Sequence, residues 1–139
     1  MPIEDLARND VVTAGPETPV TDLAATMGEE HVGSIVITND ETPVGIVTDR
    51  DLAVRVLGEA DDPTGMTAED VMTDDLYTAE PDAGFYEAAT LMADHGIRRL
   101  PISEDGTLAG IITADDITEL LADEQQHLGD IIRGQRPEY

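Results

Sequence analysis

The chain has 139 residues and no Cys, so disulfides, thiolate nucleophiles and Cys-bound metals are excluded. Its 31 acidic residues against seven basic ones, all Arg, give a formal net charge of −24, and the few cations form no stripe of the kind nucleic acid needs. No apolar run approaches the roughly 20 residues of a membrane span, and Glu4 and Asp5 stand where a signal peptide needs basic residues, so the expected location is the cytoplasm, away from membranes.

The predicted elements begin with a short helix over 3–8 and an extended stretch, Val11–Thr13, which ends in a Pro-containing turn. An amphipathic helix over 20–30 follows, with Thr21 and Asp22 as N-cap chemistry and Leu23, Met27 and Glu30 on one face. Two short apolar strands, Ser34–Thr38 and Val44–Val47, flank the hairpin-like link Asn39-Asp40-Glu41-Thr42. A helix starts at Asp49, and an acidic stretch containing Gly and Pro spans Gly58–Gly65. The same order then returns: a helix over 68–73, an extended Leu76–Thr78, and a helix over 85–95 with Ala88, Leu91, Met92 and His95 on one face. Strands Arg99–Ser103 and Leu108–Ile112 flank Glu104-Asp105-Gly106-Thr107, and a final helix from Ala114 runs to about Ile132, before Gly134 and Pro137.

The return is an internal repeat. Residues 3–57 lie over 68–122 without a gap and with fifteen identities, among them Asp5/Asp70, Thr13/Thr78, Pro16/Pro81, Met27/Met92, Gly45/Gly110, Thr48/Thr113 and Asp51/Asp116. Two copies are too few for an open array, so a closed pair with pseudo-two-fold symmetry is expected. The fold class is α/β, built from two βαββα units. The expected division is a first repeat at 1–60, an acidic linker at 61–67, a second repeat at 68–124 and a C-terminal helical tail at 125–139. Apolar faces such as Leu23/Met27 and Leu91/Met92 exceed what one small unit buries, which predicts pairing of two chains through their helices.

The charge has two readings. One is a disordered acidic chain; the other is a protein adapted to molar salt, as in an extreme halophile, where the screening length falls to about 3 Å. The apolar patterning and the absence of Lys favour the second.

The chemistry concentrates in Gly45-Ile46-Val47-Thr48-Asp49-Arg50-Asp51 and its echo Gly110-Ile111-Ile112-Thr113-Ala114-Asp115-Asp116. In each, an apolar strand runs into Thr-x-x-Asp at a helix start. One reading is a capping box, in which Thr caps and Asp bonds back to the backbone. The other is a ligand site, in which Asp accepts ribose hydroxyls while the helix start favours phosphate. Spacing alone leaves both open. Arg98 and Arg99 align with Gly33 and Ser34, so the copies offer unlike sites. Guanidinium forks suit phosphate, and Arg50 sits in a first helical turn where the dipole disfavours a cation, which calls for a ligand anion or a partner carboxylate nearby. His31, His95 and His127 lack metal-ligand spacing. With 31 acids, carboxylate pairs arise by chance, and no nucleophile-base-orienter set emerges. No enzymatic activity is expected.

On these residues the chain resembles the cystathionine-β-synthase (CBS) domain family in its tandem form, the Bateman module. The resemblance is carried by Val11-Val12-Thr13, by His31-Val32-Gly33-Ser34-Ile35-Val36-Ile37 with its partner His95-Gly96-Ile97-Arg98-Arg99-Leu100-Pro101-Ile102, and by the two Gly-h-h-Thr-x-x-Asp segments (h, apolar). It implies that Thr48 and Asp51, and Thr113 and Asp116, hold the ribose of an adenosine ligand. It implies that backbone around Thr13, Val36, Thr78 and Pro101 sandwiches the base, and that Arg98 and Arg99 meet phosphates. The implied function is sensing of an adenosine-type regulatory ligand (AMP, ADP, ATP, S-adenosylmethionine or a dinucleotide), with no required cofactor and an effector protein as partner. The alternative is a structural dimerisation module whose clefts are non-functional.

Overall fold

The structure is a computed structural model that describes residues 1–60 and 62–137; Asp61 of the linker, and Glu138 and Tyr139 of the tail, lie outside the described residues. The first copy contains strand β1 (Thr13–Ala14), helix α1 (Val20–Glu30), strands β2 (Ser34–Asn39) and β3 (Thr42–Thr48), and a short helix α2 (Asp49–Asp51) that widens into π-helical turns over Leu52–Gly58. The second contains α3 (Ala68–Val71), α4 (Phe85–His95), strands β4 (Arg99–Glu104) and β5 (Thr107–Thr113), and the long α5 (Ala114–Gln135). β1 runs parallel to β2, which pairs antiparallel with β3; β4 and β5 repeat that hairpin. The second copy's counterpart of β1 is reduced to a single parallel bridge, Ala79 to Ile102.

Both hairpins turn through two residues at positive φ, Asp40 and Glu41 in one and Asp105 and Gly106 in the other. That is the backbone a type I′ turn demands, and its twist matches the flanking strands. Ile35, Val36 and Ile37 are consecutive and all buried, as are Leu100, Pro101 and Ile102, so these middle strands are covered on both faces. Helix α1 buries Val20, Leu23 and Met27 against the first hairpin, and α4 buries Ala88 and Met92 against the second.

Three expectations need correction: the α1 cap, the pairing face and the end of the last helix. The cap of α1 is Pro19, without a side-chain bond, and the Val20 N–H is instead satisfied by the Met66 carbonyl at 3.1 Å. Thr21 and Asp22 are exposed first-turn residues. Glu30 is exposed although it shares the Leu23/Met27 side of the helix period. Leu23, Met27 and Met92 are at most 8% exposed within one chain and are not available to pair chains. The exposed apolar surface lies elsewhere. Helix α5 passes through Gly134 to Gln135, and beyond its contact with α4 it presents Leu121, Leu128, Ile131 and Ile132 to solvent.

The opening segments of the two copies are exchanged. Ile3 is fully buried, in the core of the second copy, and its N–H donates to the Ala83 carbonyl at 2.9 Å. Arg8 and Ile111 exchange two backbone hydrogen bonds of 3.0 Å. Conversely, Ala68 and Val71 of α3 complete the first core, the Ala68 N–H donates to the Thr18 carbonyl at 2.8 Å, and Thr73 pairs with Ile46. This crossing explains the glycine that opens each Gly-h-h-Thr-x-x-Asp segment. A Cβ at Gly110 would stand 2.9 Å from the Arg8 carbonyl oxygen, and one at Gly45 would stand 2.5 Å from the Met72 sulfur. At Gly110 the contact is with backbone, so only a residue without a side chain lets the exchanged segment approach this closely. At Gly45 a Cβ would displace the Met72 side chain and crowd the Thr73 carbonyl oxygen at 3.1 Å.

Candidate functional site

Both Thr-x-x-Asp segments form reciprocal caps. In the second copy, Asp116 Oδ2 accepts from the Thr113 N–H at 2.9 Å and from the Thr113 hydroxyl at 3.0 Å, while the Asp116 N–H donates to Thr113 Oγ1 at 3.2 Å. In the first, Asp51 Oδ2 accepts from the Thr48 N–H at 2.9 Å and the Asp51 N–H donates to Thr48 Oγ1 at 3.1 Å. Capping therefore uses one oxygen of each carboxylate and leaves Oδ1 for another partner. For Asp116 that partner is Arg8, whose Nη2 lies 3.2 Å from Oδ1. For Asp51 it is Arg55 of its own helix, at 3.9 Å. Asp116 is 9% exposed and is the one buried charged side chain among the described residues.

A cleft of about 220 Å³ opens between the copies. The first copy contributes Val11 and Val12 from the extended segment, His31 to Ser34 from the turn after α1, and Val36 of β2. The second contributes Arg98, Arg99, Ile111, Thr113 and Asp115, and the exchanged opening segment adds Arg8 and Asp10. The cleft is thus composite, with an apolar strand edge from one copy facing the Thr-x-x-Asp segment of the other. The Val36 N–H donates to the Val12 carbonyl at 3.1 Å and Thr13 pairs with Val36, which holds that edge flat.

Of the residues singled out from sequence, Val36, Arg98, Arg99 and Thr113 line this cleft; Thr13 sits beside Val36, and Asp116 is bonded to two lining residues. Thr48, Arg50, Asp51, Thr78 and Pro101 are not among its lining residues; Thr78 lines a separate hollow with Glu87 and Leu91 of α4. Arg50 is exposed and forms no ion pair among the described residues, so none of these supplies the anion that its helical position calls for. Arg98 is paired with Asp115 at 3.1 Å, both largely exposed. Gly33 makes room for Arg99: a Cβ there would stand 3.2 Å from both Arg99 Nη2 and Asp49 Oδ2.

Two cleft residues carried no assigned role in the sequence. Arg8 aligns with Thr73, so the repeat itself marks it as unlike its counterpart. His31 ends α1 in the left-handed conformation, φ 55°, where the second copy has Gly96 at φ 63°. A non-glycine residue in that region costs on the order of 1 kcal/mol, and here it places an imidazole on the cleft. Three of the seven Arg and one of the three His therefore surround one cleft, against Asp10 and Asp115. In the second copy the position of Val12 is taken by Tyr77, whose ring already stacks on His95 with centroids 3.7 Å apart. Among the described residues no group of acidic, His or Cys side chains is arranged to hold a metal ion, and no helix is long and apolar enough to cross a membrane.

An α/β pair of repeats, closed by exchanged segments around a composite cleft, defines a tandem-repeat module. The sequence matches the CBS domain family over residues 3–58 and 68–123, and the chain belongs to that family as a tandem CBS protein. An uncharacterized protein of Methanopyrus kandleri is 41% identical over 120 residues, which is 85% of this chain and 61% of that protein, so this chain spans less than two thirds of that relative. The CBS domain-containing protein YhcV of Bacillus subtilis is 33% identical over 83% of this chain and 81% of its own length. Among solved structures, an uncharacterized conserved protein from Pyrococcus horikoshii superposes with a TM-score of 0.77 at 28% identity, covering 99% of this chain and 95% of that one. The CBS domain pair of protein MJ0100, solved with 5′-methylthioadenosine and S-adenosyl-L-methionine, superposes with a TM-score of 0.81 at 24% identity over 89% of this chain and 98% of that one, a likeness of fold.

Proposed function

We propose that the chain is a regulatory, non-catalytic module of the cytoplasm. It binds an adenosine-type ligand in the composite cleft and signals occupancy to a partner protein. One observation carries this reading: an apolar strand edge, a Thr-x-x-Asp segment and three of the seven Arg converge on one cleft of a chain with net charge −24. The strand edge at Val12 and Val36 offers apolar contact and backbone groups to a base. Asp116 offers a carboxylate to ribose hydroxyls, and Arg8, Arg98 and Arg99 offer guanidinium groups to phosphate. Occupancy regulates only if the ligand prefers one packing of the two copies over another, and a cleft walled by both copies supplies that preference.

Titration calorimetry in molar KCl with a panel of adenine nucleotides and S-adenosylmethionine tests the reading. Asp116→Ala is expected to weaken the best ligand about tenfold or more, since a hydrogen bond to a charged group is worth roughly 1.5–3 kcal/mol. Asp51→Ala is expected to cost less, because Asp51 neither lines the composite cleft nor bonds to Arg8, and its free oxygen lies toward Arg55. An equal or larger loss at Asp51 would reverse the ranking of the clefts. Failure of the whole panel to bind would leave the structural reading, a dimerisation module with non-functional clefts.

That module role is compatible with ligand sensing, and one observation favours it in either case: Leu121, Leu128, Ile131 and Ile132 stand 54–62% exposed along α5. An isolated helical arm of this length is marginal in water without packing, so a second copy is expected to cover it. Light scattering in molar salt is expected to report roughly twice the chain mass of 14.9 kDa; a monomer at micromolar concentration would refute the pairing.

A further inference from the structure

We infer that Arg8 is a displaceable counter-ion that makes the composite cleft select phosphorylated over unphosphorylated nucleosides, an inference that rests on the reading of that cleft as an adenosine site. The carboxylate offered to ribose is not idle in this structure. Its Oδ2 is committed to Thr113, and its Oδ1 accepts from Arg8 at 3.2 Å. A diol that enters must compete with a guanidinium for the oxygen it needs. Arg8 is free to yield. Its side chain is 66% exposed, while its backbone is pinned to Ile111 by two hydrogen bonds of 3.0 Å. The side chain can therefore swing while its base stays at the cleft wall beside Arg98 and Arg99.

The consequence depends on what the ligand carries. A nucleoside alone breaks the Arg8–Asp116 pair and returns nothing to the guanidinium. A nucleoside phosphate replaces both halves: its hydroxyls take Asp116, and its phosphate takes the released Arg8 in a charge-assisted fork. S-adenosylmethionine offers one carboxylate to the guanidinium groups but brings a sulfonium and an ammonium with it, so it returns less to Arg8 than a phosphate does. The device is confined to one cleft. The residue aligned with Arg8 is Thr73, which has no charge to exchange, and Asp51 turns its free oxygen toward Arg55 of the adjacent helical turns.

The test compares adenosine, AMP and ATP by calorimetry in molar KCl on the wild-type chain, Arg8→Ala and Arg8→Gln. The wild-type chain is expected to prefer AMP to adenosine by about tenfold or more. Both variants are expected to lose most of that preference, with AMP weakened and adenosine bound as tightly as before or more tightly, because Asp116 is released. Arg8→Gln keeps a neutral donor near Asp116 and serves if Arg8→Ala does not fold, with circular dichroism as the check. A parallel loss for adenosine and AMP in either variant would show that Arg8 only braces the cleft, and overturns the proposal while leaving the adenosine site standing. A wild-type chain that binds none of the three overturns the site and the proposal together.

Discussion

Transfer from 1 M to 0.01 M KCl is expected to lower the melting temperature by tens of degrees, the largest effect anticipated for this chain. Of its charged side chains only Asp116 is buried among the described residues, so the acids populate the surface. The screening length grows from about 3 Å to about 30 Å across this range, and each carboxylate then meets the field of most others. Treated as a uniformly charged sphere, a net charge of −24 disfavours the compact state at low salt by on the order of 10 kcal/mol or more. That rivals the whole stability of a typical domain, about 5–15 kcal/mol. The opposing term is small, because surface ion pairs such as Arg98–Asp115 and Arg133–Asp130 contribute about 0–1 kcal/mol each. Calorimetric melts at several KCl concentrations, with sucrose as a control for exclusion effects, measure this. An unchanged melting temperature would refute adaptation to strong salt.

Ile3→Ala is expected to cost about 2–5 kcal/mol, the usual range for emptying a filled core site. At roughly 4 °C per kcal/mol for a domain of this size, the melting temperature falls by about 10 °C or more. The residue stands at the third position of the chain, where truncation would ordinarily be tolerated. Here it is fully buried in the second core and its N–H is bonded to Ala83. Hydrogen exchange locates the damage. The cavity is expected to loosen amides of Leu100 and Ile112, which share that core, before those of Ile35 and Val47 in the other. Equal loosening of both cores, or none, would contradict the exchange of opening segments.

Much of the architecture was legible from periodicity. The apolar spacing along 20–30 and 85–95 marks α1 and α4 to the residue, because one face of each packs on a hairpin and the other is wet. The hairpins were legible from their turn residues, although Asp40-Glu41 lacks the glycine that makes Asp105-Gly106 obvious. The Thr-x-x-Asp caps follow from local chemistry. Three features were not legible, each for a physical reason. The start of α1 is satisfied by the Met66 carbonyl, a contact no local window contains. The exchange is hidden by the repeat itself: two similar opening segments fit two similar cores, and only the path of the chain decides which goes where. The role of Arg8 depends on that exchange, since without it Arg8 would not reach Asp116.

The exchanged segments also say what the connection between the copies is for. A half-length chain would hold nearly all of one core while carrying the piece that closes the other. Two identical halves could each lend that piece to their neighbour and rebuild the architecture around a true two-fold axis. The described residues of 58–67 add little apolar surface to either core, and Met66 is the one among them that packs against the first core. Their contribution is proximity: they hold the second half at an effective concentration in the millimolar range or above. Joining the halves turns an assembly that dilution would undo into a single molecule that dilution leaves intact.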